Sequence, residues 1–231
     1  VWSSLAAVHD LQHDYARALE CTGQCLRRLP DSLWFLHNEG VLRFYHGDYD
    51  GAKTAFTRAL AAKPYFLVSE YPLMAGPKVI YFSGDVEKRQ ENRLNAARMA
   101  RLRAYEFLIL LAYRDQEYQS MVDLAVQAGQ EAGADFQPAF LFFAGAGWGA
   151  QGQQQKAAAF FQLARAMNFD AAVIQRWQDF FSSKPRGDFK EEKASFKWND
   201  MAILTRDEGG LRLYCYLPSV QEYRLTGERP H

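Results

Sequence analysis

The sequence has no apolar run long enough to cross a membrane. No stretch approaches the roughly 18 to 20 apolar residues that a transmembrane helix needs. The start of the chain, residues 1–7, lacks the basic flank and long apolar segment of a signal peptide. Neither charge is in excess, since Lys plus Arg and Asp plus Glu each number 27. With equal numbers of positive and negative charges, no global field favours nucleic acid or anionic lipids, so we expect no nucleic-acid partner. The lack of a long apolar run likewise predicts no membrane span.

Cysteine is also scarce, with three in 231 residues. Cys21 and Cys25 lie four positions apart on one predicted helix, where Cβ atoms are about 5–6 Å apart. A disulfide needs Cβ atoms roughly 3.5–4.5 Å apart, so we expect these thiols, like that of Cys215, to be reduced. Reduced cysteines favour a cytoplasmic location. Because a repeat pattern is already under way at Val1, we also expect the natural protein to carry residues before it, which could include a signal.

The sequence contains no recognisable nucleophile motif or metal site. His9 and His13 belong to the segment His-Asp-Leu-Gln-His, which resembles the zinc-binding helix of metalloproteases with Asp in place of Glu. His13, however, is expected at the turn before the next helix, so the two imidazoles would not share a helical face. No third ligand is evident. We therefore expect no metal, no cofactor and no enzymatic activity.

The chain does contain a repeated helical pattern, which is clearest between Gly47 and Pro64. Asp48 is placed to cap a helix by accepting a hydrogen bond from a free backbone N–H. Small and large apolar residues then follow at helical spacing, and Pro64 ends the pattern because proline disfavours helical geometry in the preceding residue. Four pairs of identical residues separated by 34 positions show the period: Asp14 and Asp48, Tyr15 and Tyr49, Ala18 and Ala52, and Pro30 and Pro64.

The same pattern returns near residue 150. Gly145 corresponds to Gly40, a small residue expected where the two helices of a pair touch. The turn residue Gly152 likewise corresponds to Gly47. Three further residues of the later copy, Ala157, Phe161 and Ala164, match Ala52, Phe56 and Ala59. We therefore predict four helical pairs: two within residues 1–66, a third formed by residues 103–114 and 118–130, and a fourth that contains Gly145 and Ala164.

The stretches between and after the repeats predict the domain organisation. Residues 65–84 interrupt the period with prolines, glycines and many aromatics, which predicts an ordered insertion that packs on the helices or over their groove. Residues 182–200 are polar and predict a connector. Residues 201–231 contain apolar segments around Asp-Glu-Gly-Gly, which predict a small β-hairpin or meander. The helical region is thus expected to span residues 1–181.

The period and these residues resemble the tetratricopeptide repeat (TPR) family over about residues 1–170, with an interruption at 65–102. The resemblance implies a mainly α fold, a right-handed α-solenoid of helical hairpins, followed here by the C-terminal β-hairpin. Members of the family generally bind peptides or helices in a concave groove lined by the first helix of each pair. The resemblance therefore implies a protein–protein interaction scaffold or adaptor, whose partner is another protein presenting a peptide or an amphipathic helix.

Transferring the groove positions to this sequence gives a surface rich in aromatic and apolar side chains, which suits an amphipathic helix or an extended peptide. The groove residues that the resemblance implies are Trp34, His37, Asn38, Val41, Tyr45, Arg103, Glu106, Leu110, Phe142 and Phe143. Chaperone-binding members of the family clamp a C-terminal carboxylate with Lys, Asn and Arg. Asn38 matches one clamp residue, but Ser3 and Ala7 stand where a Lys and an Asn would be expected, so that specificity is not predicted.

The segment Gly145–Ala150 allows a different interpretation, because it fits the dinucleotide-binding fingerprint with Ala as its last residue. Under this alternative the protein is a nucleotide-dependent enzyme with a phosphate-binding loop. Such a loop needs a second strand within about 30 residues, whereas residues 171–181 predict a helix. We favour the interpretation that the glycines allow close packing of helices.

Three further hypotheses concern partners. Arg89, Arg93 and Arg103 fall on one side of a long predicted helix and could form a basic patch for an acidic partner, although such a stripe is more often a solvated face. The open first repeat or the C-terminal hairpin could mediate assembly into a homo-oligomer. The chain could also be a helper region of a larger secretion or assembly complex.

Overall fold

The described part of the chain is mainly helical, as the sequence predicts. A computed structural model describes residues 2–62, 73–75, 78–80, 86–133, 137–183, 206–207, 210–213 and 223–224. The helices within these residues are α1 (Trp2–Leu11), α2 (Tyr15–Arg28), α3 (Leu33–His46), α4 (Tyr49–Ala61), α5 (Val86–Arg114), α6 (Tyr118–Ala132), α7 (Gln137–Ala150), α8 (Gln154–Ala166) and α9 (Ala171–Ser183). The strands are β1 (Leu73–Ala75), β2 (Lys78–Ile80), β3 (Arg206–Asp207), β4 (Gly210–Leu213) and β5 (Tyr223–Arg224).

The chain divides into two compact units, Val1–Phe107 and Leu108–His231, with the boundary inside α5. In the first unit α1 packs on α2, α2 on α3 and α3 on α4. In the second unit α6 packs on α7, α7 on α8, and α9 on both α7 and α8. Helices that follow one another in sequence are therefore neighbours in space within each unit, as short connections require.

Small residues let the helices of the first unit approach closely. Leu42 of α3 is fully buried, and it belongs to a cluster with Ala6, Ala7, Ala18 and Cys21 of the preceding hairpin. A second cluster joins large residues of α3 to small residues of α4, its C-cap and α5: Leu33, Trp34, Leu36, Ala59, Ala62, Ala97 and Ala100. Cys21 and Cys25 are buried free thiols, which confirms that they do not bridge each other.

The short strands lie in the two regions where the helical repeat is interrupted or has ended. β1 and β2 pair antiparallel, with Leu73 opposite Ile80, and β1 lies beside α3. They belong to the predicted insertion at 65–84, whose other residues lie outside the described part of the chain. β4 pairs antiparallel with both β3 and β5. The predicted connector at 182–200 and the predicted strand segments outside β3–β5 are likewise outside the described residues, apart from the end of α9.

The same turn joins the two helices of each of the four pairs α1–α2, α3–α4, α5–α6 and α7–α8. A residue with left-handed backbone ends the first helix, and the next N–H donates to the carbonyl five residues earlier, as in a Schellman motif. At one such turn the Asp48 N–H donates to the Arg43 carbonyl at 2.9 Å. The left-handed residues are His13, Gly47, Gln116 and Gly152, with φ of 60°, 86°, 60° and 75°. The same hydrogen-bonded turn therefore connects the two helices of each pair.

Capping then starts the second helix of the first two pairs, as predicted for Asp48. The Asp48 carboxylate accepts from the Gly51 N–H at 3.0 Å, and the Asp14 carboxylate accepts from the Arg17 N–H at 3.1 Å. Arg43 also donates to Asp48 at 2.5 Å. The hydrogen bond from Arg43, followed by that from the Gly51 amide, lowers the pKa of Asp48 below its ordinary value. The carboxylate therefore stays ionised where it caps the helix.

The turn geometry predicts opposite effects at equivalent positions. A side chain in left-handed backbone costs about 1–2 kcal/mol, so the conformation is unfavourable at Gln116. Gly152 has the same backbone conformation without that cost, because glycine has no side chain. We expect Gln116→Gly to raise the free energy of unfolding by about 1 kcal/mol and Gly152→Ala to lower it by about the same amount. Urea denaturation followed by circular dichroism measures both. A loss of stability in Gln116→Gly would contradict the proposed role of this backbone conformation.

Candidate functional site

The residues predicted to line a groove lie mostly in the interior of the protein. Nine of the ten are less than a tenth exposed, from 0% for His37 to 7% for Trp34 and Phe143. The buried set is Trp34, His37, Asn38, Val41, Arg103, Glu106, Leu110, Phe142 and Phe143. The tenth residue, Tyr45, is half-buried. The first-helix faces that the resemblance pointed to are therefore largely covered by the chain itself.

Two of these residues, His37 and Arg103, lie beside a pair of stacked rings in the first unit, and a third, Glu106, pairs with Arg103. The rings of Phe56 and Phe107 lie 4.8 Å apart and are nearly parallel. The His37 ring meets Phe56 edge-on at 5.9 Å, and the Arg103 guanidinium lies 5.4 Å from the centre of the Phe107 ring. Arg103 also donates to Glu106 at 2.7 Å. We call His37, Arg103 and Glu106 the polar cluster.

The polar cluster contains an ion pair that is almost completely removed from solvent. The side chains of Arg103 and Glu106 are 3% and 5% exposed. Burial raises the pKa of Glu106, and the attraction and hydrogen bond of Arg103 offset only part of this rise. A buried ion pair recovers its desolvation cost only when the geometry is good, so the short contact matters for stability. A guanidinium held in this way does not contribute to a solvated basic patch, and the side chains of Arg89 and Arg93 lie outside the described part of the chain.

In the second unit, the predicted groove residue Phe142 belongs to an aromatic core. Its ring stacks on Phe169 at 4.6 Å and meets Trp177 of α9 edge-on at 5.4 Å. It also lies 5.9 Å from Phe161 of α8. Trp177 is 1% exposed, so α9 closes this unit with a large buried side chain. Phe142 thus has a packing role that accounts for its burial.

One group of accessible aromatic side chains in the first unit lies at the helix ends that flank the hairpin turns. Tyr15 approaches the ring of His46 at 6.4 Å and that of His13 at 6.2 Å. Tyr45, next to His46 in the chain, meets Phe44 edge-on at 5.8 Å. Tyr15 and Tyr45 are half-buried, and both histidines are exposed. We call these four residues, His13, Tyr15, Tyr45 and His46, the turn-side aromatic surface.

The groove pattern predicts Tyr45 as a surface residue but neither Tyr15 nor His46. Both stand next to a hairpin turn, Tyr15 as the first residue of α2 and His46 as the last of α3. The repeat phase could have placed them there, because Tyr15 and Tyr49 occupy equivalent positions. What the phase does not indicate is that side chains near the turns stay accessible while the middle of α3 becomes buried.

The glycine-rich segment Gly145–Ala150 lies inside α7 and so has no strand-to-helix turn. A Cβ atom at Gly145 would lie 2.8 Å from the Phe161 ring, and one at Gly147 would lie 2.7 Å from Val122. The equivalent Gly40 faces Phe56 in the same way, at 2.6 Å. The packing role predicted for these glycines is confirmed, and the segment does not form a phosphate-binding loop.

Neither metal ligands nor relatives point to a function for this protein. Within the described residues, no group of three or more His, Cys, Asp or Glu side chains could hold a metal ion. The same part of the chain has no helix that is both long and apolar enough to span a membrane. No family model matches the sequence, and no curated protein is significantly similar to it. The resemblance to tetratricopeptide repeats therefore has only the 34-residue period and the matching residues of this sequence to support it.

Proposed function

We propose that this protein is a scaffold or adaptor, built from helical hairpins, that binds a peptide or an amphipathic helix of another protein. The observation that carries this proposal is the recurrence of one hairpin design along the chain. Four helix pairs share a turn with a left-handed residue, and two of them share the close approach of a glycine to a phenylalanine ring. Repeated hairpins that contact only their neighbours generate extended surfaces, which such proteins use for binding partners.

The proposal also includes a right-handed superhelix and a C-terminal β-hairpin. The right-handed tetratricopeptide-like superhelix would follow from stacking these hairpins, and the shared turn supports it. A C-terminal β-hairpin would follow from the antiparallel pairing of Arg206–Asp207 with Gly210–Leu213. In this view the protein acts without catalysis, and its specificity resides in the side chains that it presents on its surface.

The turn-side aromatic surface is the best docking site for a partner in the first unit. Tyrosine supplies a large contact area with few rotatable bonds, and tyrosines are enriched among the residues that dominate binding energy. Tyr45 combines this chemistry with a position on the first helix of its pair. The middle of α3, by contrast, is already covered, so a partner would have to displace other parts of the chain to reach Trp34 or His37.

Selection from a random peptide library tests this function. Peptides that bind the wild-type protein would be labelled, and their affinities measured by fluorescence anisotropy. We expect Tyr45→Ala to weaken binding by about tenfold or more, because removing a central aromatic anchor typically costs at least about 1.4–2 kcal/mol. The far-ultraviolet circular dichroism spectrum of the variant should stay that of the wild type.

Leu163→Ser is the matched control. Leu163 is 54% exposed on α8, the second helix of its pair, and it lies in the other unit. We expect this variant to bind the selected peptides as the wild type does. Retained affinity in Tyr45→Ala together with lost affinity in Leu163→Ser would place binding on second helices. Failure to select any peptide would count against a peptide-binding function.

A further inference from the structure

One side of α3 is buried although the resemblance to tetratricopeptide repeats assigns it to an open groove. Trp34, Asn38, Val41 and Tyr45 recur at intervals of four, three and four residues, so they share this side of the helix. The first three are buried, whereas Tyr45, near the C-terminal end of α3, is half-buried. We call the side defined by these four residues the groove face. It is covered along most of its length and opens toward Tyr45.

Neighbouring helices account for the other sides of α3. Leu42 packs against the small residues of the first hairpin, and Gly40 faces the Phe56 ring of α4. Glu39 and Arg43 lie on a third side and are half-buried. Since successive residues of a helix are turned by about 100°, these three sides differ from the groove face. A further element must therefore cover the groove face.

β1 is placed to be that element. It lies beside α3, although α4 separates the two in the sequence, and it pairs antiparallel with β2. At the start of the groove face, Trp34 shares a cluster with Ala97 and Ala100 of α5, so α5 reaches this end. Asn38 and Val41 lie further along the same face, between Trp34 and the half-buried Tyr45. The strand thus fits the middle of the groove face.

We propose that the β1–β2 pair is an autoinhibitory element, which occupies the groove face and which a partner must displace in order to bind along α3. The partner is an extended peptide that engages Tyr45 and continues over Val41 and Asn38. Because the pair is tethered to the same chain, it competes with such a peptide at a roughly millimolar effective concentration. This inference rests on the proposed partner-binding function and adds its regulation.

Two properties make the pair displaceable. Each strand has three residues, and a two-stranded sheet of this kind is marginally stable in water on its own. Part of the covered face is polar, because Asn38 lies between Trp34 and Val41. Polar contact area contributes less hydrophobic stabilisation than apolar area. A peptide that gains further contacts at Tyr45 can therefore replace the pair.

Thiol labelling at position 41 tests whether the pair covers the groove face. Val41→Cys places a thiol there, and its reaction with iodoacetamide is followed by mass spectrometry in the full chain. Replacing residues 73–80 by a Gly-Ser segment of the same length should raise the reaction rate at least about tenfold, because the buried position becomes accessible. Ile80→Pro, opposite Leu73 in the strand pair, should act in the same direction, since proline has no N–H to donate.

Leu211→Pro is the matched control for both strand variants. Leu211 lies in β4, opposite Arg206, so the substitution affects an antiparallel strand pair in the other unit. We expect this variant to leave the labelling rate at position 41 unchanged. The far-ultraviolet circular dichroism spectra of all variants should match that of the wild type.

The binding test uses the library peptides that depend on Tyr45, measured by fluorescence anisotropy without the Val41→Cys substitution. Only molecules with an open groove face bind along α3, so the Gly-Ser variant should bind these peptides at least about tenfold more tightly than the wild type. A labelled, capped peptide with the sequence of residues 73–80, Leu-Met-Ala-Gly-Pro-Lys-Val-Ile, is the second probe. It should bind the Gly-Ser variant, and the library peptides should displace it.

Several results would overturn the inference. An unchanged labelling rate in both strand variants would show that the β1–β2 pair does not cover the groove face. Equal or weaker library binding in both variants would show that the pair does not inhibit, and the function proposed for Tyr45 would stand. If the Gly-Ser variant loses its helical spectrum, Ile80→Pro supplies both measurements. Absence of library binding in the wild type and in both variants would reject the partner-binding function, and the inference with it.

Discussion

Replacing Arg103 by Met is expected to lower the free energy of unfolding by about 3–5 kcal/mol at neutral pH. Methionine keeps much of the apolar length of the side chain but removes the guanidinium that lies 2.7 Å from the Glu106 carboxylate. That carboxylate is 5% exposed, so it cannot recover its lost ion pair with water. Urea denaturation followed by circular dichroism measures the change. A loss below about 1 kcal/mol would mean that the pair contributes like a surface salt bridge.

The double variant Arg103→Met/Glu106→Leu is the matched control. It removes both charges and replaces them with apolar side chains, which leaves no charge from the pair to be desolvated. Substitutions of this kind at buried ion pairs are often neutral or stabilising. We therefore expect the double variant to recover most of the stability lost in Arg103→Met. If the double variant is as unstable as the single one, packing around the stacked Phe56 and Phe107 rings explains the loss, and the charges do not.

The stability of Arg103→Met should also depend on pH. In the wild type, burial already raises the pKa of Glu106 above its ordinary value of 4.5. A group with a raised folded pKa contributes stability that is fully present below the unfolded pKa and is lost as the pH rises through the folded one. Removing Arg103 removes the attraction that lowers this pKa. The stability that Glu106 contributes at low pH and that is lost as the pH rises should therefore be larger in Arg103→Met than in the wild type. The difference between the unfolding free energies of the single and double variants, measured from pH 4.5 to 8, isolates the contribution of Glu106.

Local sequence signals predicted the helical hairpins because each signal acts over a few residues. Asp48 caps α4 through an N–H three residues away, and Gly47 supplies the left-handed backbone of the turn. Gly40 and Gly145 were predicted as contact points because their correspondence preserves helix register, and both face a phenylalanine ring. None of these features requires knowledge of distant contacts.

The burial of the groove residues could not be predicted in the same way. The repeat phase indicates which side of α3 Trp34 and His37 occupy, but the residues that cover this side come from elsewhere in the chain. Arg103 and Glu106 are three apart on α5, a spacing that predicts an ordinary exposed pair on a helix. Only the surrounding packing, including Phe56 and Phe107, makes them an interior pair. The position of a charged residue on a repeat helix therefore does not show whether its side chain is exposed.

These differences move the expected partner contacts toward the edges of the first unit. The turn-side aromatic surface lies beside the turns that follow α1 and α3, where Tyr15 and Tyr45 are half-buried and His13 and His46 are exposed. A partner can therefore reach these side chains without displacing other parts of the chain, unlike Trp34 and His37, which are buried.

Phe56→Ala is expected to lower the free energy of unfolding by about 3–5 kcal/mol, because Phe56 is fully buried and its ring stacks on Phe107. Gly40→Ala alone should cost about 1–3 kcal/mol, since the new Cβ would lie 2.6 Å from the Phe56 ring. Gly23→Ala is the matched control, because a Cβ there meets no other atom within 4 Å. That variant should gain about 1 kcal/mol from helix propensity. Urea denaturation again provides the measurement.

The double variant Gly40→Ala/Phe56→Ala tests whether the two residues act as a pair. Once the ring is gone, the methyl group at position 40 has room, and alanine is the better helix former. Gly40→Ala should then be neutral or stabilising in the Phe56→Ala background, which gives a coupling free energy of about 1–3 kcal/mol. Additive losses would show that Gly40 serves some other purpose than approach to the ring. Coupling here would support the same role for Gly145 and Phe161, whose geometry repeats it in the second unit.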